Sequence, residues 1–222
     1  MEHRVHLAKV GTVTERSPQF LRSDARDNRD RILEVARATF ARDGLDVTMR
    51  EIARRAEVGV ATLYRRFPTK EALVVEAFAE QMATCTAVLD DALADPDPWH
   101  GFCTVIEKVC VMHALDRGFT AAFVSAFPSA VDFGQARDQA LRSLAELAAR
   151  ARETGKLRPD FVVDDLVMVF MANGGIRATS SASAVAASRR FAALLIQSFA
   201  ARPGARSLPP AVRLALLEPL QG

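Results

Sequence analysis

The sequence predicts an all-α protein: an N-terminal three-helix head containing a helix-turn-helix, then a larger helical body, about nine helices in all. Three observations carry that expectation. Apolar residues recur at i, i+3 and i+4 spacings through most of the 222 residues. Ala and Arg are abundant while aromatic residues and β-branched runs are few, a balance that favours helix over sheet. Gly, Pro and small polar residues fall between the periodic stretches, where helices start and stop.

Taken in order, residues 1–24 have no sustained period and are expected to form a flexible arm. A helix follows from Asp27, with Ile32, Ala36 and Phe40 on one side and Gly44 able to end it in the left-handed conformation. "VTMREIARRA" starts a second helix, for which Thr48 and Glu51 have capping-box spacing. A third runs from near Val60 to Phe67-Pro68. Thr69 can cap a fourth, "KEALVVEAFAEQMATCTAVLDDALAD", whose stripe of Val74, Phe78, Met82, Cys85, Leu89 and Ala92 predicts six continuous turns before "PDP". The body then reads as "WHGFCTVIEKVCVMHAL", a short "FTAAFVSAF" closed by Pro128, "GQARDQALRSLAELAARARETG", "FVVDDLVMVFMANGGI" and "AVAASRRFAALLIQSFA". "RPGARSLPP" begins a tail. The expected units are an arm (1–24), a head (25–70), a body (71–202) and a tail (203–222).

The second and third helices are too short to be stable alone. Joined by the tight "EVGV", they make a helix-turn-helix. Ile52, Ala53 and Ala56 face inward on the first, Val58 plugs the turn, and Leu63 buries the second, with Ile32 and Phe40 as a third wall. The helical period then leaves Thr62, Tyr64, Arg65 and Arg66 largely outside. Between Thr48 and Lys70 six cations (Arg50, Arg54, Arg55, Arg65, Arg66, Lys70) face two carboxylates (Glu51, Glu57). That local excess is larger than the net charge of +2 on the whole chain. An α-helix fits the B-DNA major groove, and a local concentration of cations is what phosphate binding requires.

"RDRILEVARATFARDGLDVTMREIARRAEVGVATLYRRFPTKEAL" resembles the N-terminal DNA-binding domain of the tetracycline-repressor (TetR) family of transcriptional regulators, over about residues 27–73. "GKLRPDFVVDDL" and the "LPP" tail resemble the ligand-binding half of one subgroup. The resemblance implies a homodimer that binds a palindromic double-stranded DNA operator and represses until a small-molecule effector releases it. Three cysteines that make no disulfide framework and the lack of a secretory signal lead to the expectation of a reduced, cytoplasmic protein. Carried over, the resemblance places Thr48 and Arg50 at the phosphate backbone. Gly59, Val60, Ala61, Thr62, Tyr64 and Arg65 or Arg66 would line the groove, and Lys70 would grip a phosphate with the dipole of its helix. Three positions depart from the pattern: Glu57 stands where the turn commonly has Gly, Ala61 replaces another frequent Gly, and Val60 a frequently polar residue.

For the body, an apolar cavity lined by the fifth, seventh and eighth helices of the chain is expected, with Phe102, Ile106, His113, Phe123, Phe127, Leu144, Met168, Met171 and Asn173 as candidates. The last two helices carry more apolar surface than one small body covers. Val185, Phe191, Leu194, Leu195 and Phe199 are therefore expected at a four-helix dimer interface. Gly174-Gly175 either permits a close backbone approach or ends its helix. Cys103 and Cys110 lie about 10 Å apart along one helix, too far for one zinc ion or a disulfide. No metal or cofactor is expected, and the three cysteines read as small core residues. No P-loop, dinucleotide fingerprint, G-x-S-x-G elbow or H-E-x-x-H occurs, so an enzyme is not expected. No secretory signal opens the chain, and the longest apolar run, "LVMVFMA", is too short to span a membrane. The competing reading is a helical protein-interaction module that presents Tyr64 and the arginines to a protein.

Overall fold

The computed structural model describes residues 18–124, 131–204 and 206–211, with side chains from Asn28 onward except at 117, 121, 123–124 and 131–134. Ten helices follow one another: α1 (Pro18–Asp43), α2 (Met49–Arg55), α3 (Val60–Arg66), α4 (Lys70–Ala77), α5 (Ala79–Leu93), α6 (Pro98–Leu115), α7 (Arg117–Val124), α8 (Val131–Glu153), α9 (Val163–Gly174) and α10 (Ser181–Phe199). Among the described residues there is no strand, only the isolated bridge between Leu157 and Ala200. No single helix among them is long and apolar enough to cross a membrane. The helix expected from Asp27 begins at Pro18, so residues 18–24 are helical where an arm was expected. Proline suits the first turn, where its missing N–H has no partner to lose, and an existing helix extends at one hydrogen bond per added residue.

In the head, Ile32, Ala36 and Phe40 of α1 are buried against Ile52, Ala53 and Ala56, and Leu63 and Phe67 close the same core. Gly44 ends α1 with φ +78° and donates its N–H to the Phe40 carbonyl. Only half of the predicted capping box forms. Thr48 Oγ1 accepts from the Glu51 N–H at 3.2 Å, but the Glu51 carboxylate turns to Arg54 and Arg55. Two guanidinium groups outcompete a lone amide for that carboxylate.

The predicted six-turn fourth helix is broken into α4 and α5, which meet at 51°. Phe78 sits at the break with φ −113° and ψ 11°. Its fully buried ring lies 6.0 Å from that of Phe40 and 6.1 Å from that of Phe119 on α7. Arg37 of α1 donates to the Ala77 carbonyl at the end of α4, satisfying an acceptor that helix ends leave open. Here α7 crosses α1 at Gly118, where a Cβ would come within 2.9 Å of both the Ala41 amide nitrogen and the Phe78 ring. Every member of the predicted stripe from Val74 to Ala92 is nonetheless buried, because the break preserves the inward side.

The body is built around α6, which contacts α5, α8, α9 and α10. Asp97 caps it by accepting from the Trp99 and His100 N–H groups, with Pro98 next. At its start Phe102 packs on Trp99, Phe161 and Phe199. Near its other end Asn173 Nδ2 of α9 donates to the Cys110 carbonyl at 2.6 Å, while Ser188 Oγ of α10 donates to Asn173 Oδ1 at 2.8 Å. A buried amide hydrogen-bonded at both its nitrogen and its oxygen ties three helices together at one register. "GKLRPDF" forms a clasp. Gly155 takes φ +73°, Lys156 Nζ reaches Asp97, and Arg158 grips Asp160. Asp160 also accepts from the Leu208 N–H of the tail. Pro128, expected to close the short helix, lies outside the described residues.

Truncating Phe78 to Ala is expected to lower stability by about 3–5 kcal/mol, the usual range for a buried Phe. Urea unfolding of the two proteins measures this directly.

Candidate nucleic-acid interface and body cavity

One side of α3 is fixed from within: Leu63 and Phe67 are completely buried, and small Ala53 and Ala56 let α2 lie close. Between the two helices Glu57, at the position where the turn commonly has Gly, adopts φ +54° in the left-handed region. The Val58 N–H returns to the Ala53 carbonyl at 3.0 Å and closes the turn. The opposite side of α3 is open. Gly59, Val60, Ala61, Tyr64 and Arg65 are exposed, Tyr64 at 47%, and Thr62 and Arg66 are half-buried. The side chains assigned to the groove thus share one outward surface, with Lys70 half-buried and Arg50 and Thr48 exposed beyond it.

The charge on this surface is distributed less evenly than the sequence count suggests. Glu51 binds Arg54 through both carboxylate oxygens at 2.8 Å and Arg55 at 2.6 Å, and Arg55 also pairs with Asp43. The Arg54 hydrogen bond first, then that of Arg55, holds the Glu51 carboxyl down at about 2. Asp43 is likewise lowered to about 2 by Arg42 and Arg55. Arg54 and Arg55 are therefore spent on the head itself. Among the described residues Arg50, Arg65, Arg66 and Lys70 make no ion pair, and Arg65 Nη2 only approaches Thr62 Oγ1 at 3.4 Å. A cleft beside α3 is lined by Thr62, Arg65 and Arg66 together with Asn28 and Arg29 of α1. Sequence reasoning missed the last two. Their signal was positional, since Asn28 lies one turn before the buried Ile32.

In the body an apolar cavity lies between α5, α6, α8 and α9. Of the predicted residues, His113 and Leu144 line it; Leu89, Val105, Val109 and Phe170 supply much of the rest. Its free volume is about 30 Å³, far below the roughly 300 Å³ of a ligand site, so a ligand requires the walls to move. Burial holds His113 down at about 4, which leaves its imidazole neutral near pH 7. Phe102 and Ile106 are core residues instead, and Asn173 is committed to its two hydrogen bonds. Met168 and Met171 point out of the body, because the burial of Val167, Phe170 and Asn173 settles which side of the apolar run 166–172 in α9 turns inward. The Phe123 side chain and Phe127 lie outside the described residues. The three cysteines are free thiols, raised by burial to about 12 for Cys85 and Cys110 and about 11 for Cys103.

The outer surface of α9 and α10 carries exposed Met168, Met171 and Leu194, with Val185, Phe191 and Leu195 half-buried beside them. Phe199 departs from that set: it is buried within the chain against Phe102 and Phe161. Gly174 serves a close approach, since a Cβ there would meet Thr120 of α7 at 2.8 Å, and Gly175 caps α9.

Residues 32–77 match the family model described as bacterial regulatory proteins, tetR family. The chain is 32% identical to the HTH-type transcriptional repressor KstR of Mycobacterium tuberculosis over 143 residues, 61% of this chain and 63% of that protein, less than two thirds of its length. It is also 32% identical to KstR of Mycolicibacterium smegmatis over 145 residues, 61% of this chain and 68% of that one. The structure of the ketosteroid transcriptional regulator KstR2 of Mycobacterium tuberculosis shares the fold, with a TM-score of 0.62, 19% identity and coverage of 78% of this chain and 95% of that one.

Relieving the left-handed strain at Glu57 tests the turn: Glu57→Gly is expected to stabilise the protein by about 1 kcal/mol. Thermal unfolding of the variant reads this as a raised midpoint.

Proposed function

Since this chain belongs to the tetR family of bacterial regulatory proteins, we propose that it is a homodimeric transcriptional repressor, released from a palindromic operator by a small-molecule effector. In this reading the DNA-binding head runs to residue 70 and includes the helical residues 18–24, and 71–202 are the effector-binding and dimerising body; residues 1–17 of the expected arm and 212–222 of the expected tail lie outside the described residues. The outward side of α3 carries the proposal. Tyr64 and Arg65 stand exposed on a helix whose other side is locked by Leu63, and four cations nearby remain unpaired among the described residues. That arrangement suits a helix seated in the major groove, with Arg50, Arg66 and Lys70 on flanking phosphates. Thr69 caps α4 by accepting from the Ala72 N–H, so Lys70 sits where the helix dipole also favours a phosphate.

Two heads must stand about 34 Å apart to enter successive major grooves, and a rigid dimer supplies that spacing. The exposed methionines and Leu194 on α9 and α10 support a four-helix interface made of two helices from each copy. The cavity supports an effector that opens the body on binding. From its wall a series of ring contacts leads towards the head: Phe170 to His113 at 5.2 Å, His113 to Phe119 at 5.4 Å, then Phe78 and Phe40. An effector that prefers a body with different head spacing lowers DNA affinity as far as its differential affinity for the two shapes permits.

Replacing Tyr64 and Arg65 together by Ala is expected to weaken operator binding by about a hundredfold or more, from the loss of a base or phosphate contact in each head. Helicity and assembly should be unchanged. Anisotropy titration against DNA selected by the protein reads the first, and unchanged affinity would defeat the assignment. Leu194→Glu is expected to convert the dimer to monomer by light scattering; a wild-type protein that is already monomeric at micromolar concentration would remove the dimer from the account.

A further inference from the structure

The outward side of α3 is half devoid of hydrogen-bonding groups. Val60, Ala61, Tyr64 and Arg65 form it, as i, i+4 pairs of Val60 with Tyr64 and Ala61 with Arg65, and all four are exposed. Val60 holds a branched hydrocarbon 37% exposed, with no core role that explains its choice. Gly59 beside it has an ordinary backbone at φ −64°, and a Cβ there would meet only Thr62 Oγ1 at 3.6 Å. Neither packing nor backbone geometry within the chain asks for glycine at 59. The nearest hydroxyl, that of Thr62, already faces Arg65. The surface around Val60 is therefore low, apolar and unobstructed.

In the major groove each base pair offers hydrogen-bond donors and acceptors, and thymine alone offers a methyl group. Alkyl side chains cannot satisfy the polar edges of guanine, cytosine or adenine, and covering those edges without a partner is unfavourable. A thymine C5-methyl is the one base feature that gains from contact with an isopropyl group. We propose that Val60, assisted by Ala61, is a specificity-determining residue that reads thymine methyl groups in each operator half-site. Hydrogen-bonded readout is left to the Tyr64–Arg65 end of the same surface. This inference rests on the DNA-binding reading and goes further by naming the base chemistry that Val60 selects.

The test uses the full-length protein and duplexes it selects from a random library, resynthesised with deoxyuridine in place of each thymine in turn, which removes one methyl and nothing else. Wild-type protein is expected to lose about fourfold in affinity at one or two thymines per half-site, the effect of one unburied methyl. Val60→Ser, checked for unchanged helicity, is expected to be indifferent to the same substitutions. Equal binding of thymine and deoxyuridine duplexes at every position, or selected half-sites without thymine, would overturn the inference while leaving DNA binding in place. A full deoxyuridine penalty in Val60→Ser would remove Val60 from the role. Failure to select any duplex over random DNA would instead bring down the DNA-binding reading itself.

Discussion

A seven-residue helix does not persist alone in water, so α3 exists because Leu63 and Phe67 are buried completely against α1 and α2. That burial does more than stabilise the helix. With 3.6 residues per turn, fixing Leu63 inward turns Ala61 and Arg65 outward and leaves Tyr64 and Val60 on one flank, so the proposed recognition surface follows from one packing decision. The left-handed Glu57 and the small Ala53 and Ala56 serve the same end, holding α2 and α3 at the angle where both can share the α1 core.

The head is joined to the body through packed rings. Phe78 occupies the break between α4 and α5, touches Phe40 on one side and Phe119 on the other, and lies where α7 crosses α1 at Gly118. Arg37 and Arg29 of α1 reach Ala77 and Glu76 just before that break. The head, the break and the upper body therefore share one core, and a change in the wall around His113 and Phe170 has a contiguous set of neighbours to act on. Close packing of this kind moves between discrete arrangements more readily than it deforms continuously.

The head was largely legible in the sequence because short-range rules governed it. Gly44 and Thr69 act as the end and cap that their residue types suggest, and the helical period alone placed Leu63 inside and Tyr64 outside. The break at Phe78 was not legible. Val74, Phe78 and Met82 keep an i, i+4 stripe across it, so periodicity carries no trace, and its cause is crowding by α1 and α7 from distant parts of the chain. Nor could spacing show that Glu51 would bind Arg54 and Arg55 in preference to the Thr48 amide. In α9 every side chain from Leu166 to Ala172 is apolar, so the pattern could not distinguish Phe170, which lines the cavity, from Met168 and Met171, which lie outside. Phe199 misled for the same reason: an apolar residue at a helix end suits a partner subunit as well as it suits the ring cluster with Phe102 and Phe161.

The central claim is that the outward side of α3 lies in the major groove of a DNA duplex while the neighbouring cations lie against its phosphates. The dependence of binding on salt tests it most directly, because each phosphate neutralised releases counterions and contributes about −0.9 to the slope of log K against log salt concentration. Arg50, Arg66 and Lys70 on two heads set that slope at about −5. A slope several units negative, made shallower by replacing Lys70 or Arg66, is the predicted result. Binding that is flat in salt would contradict the account.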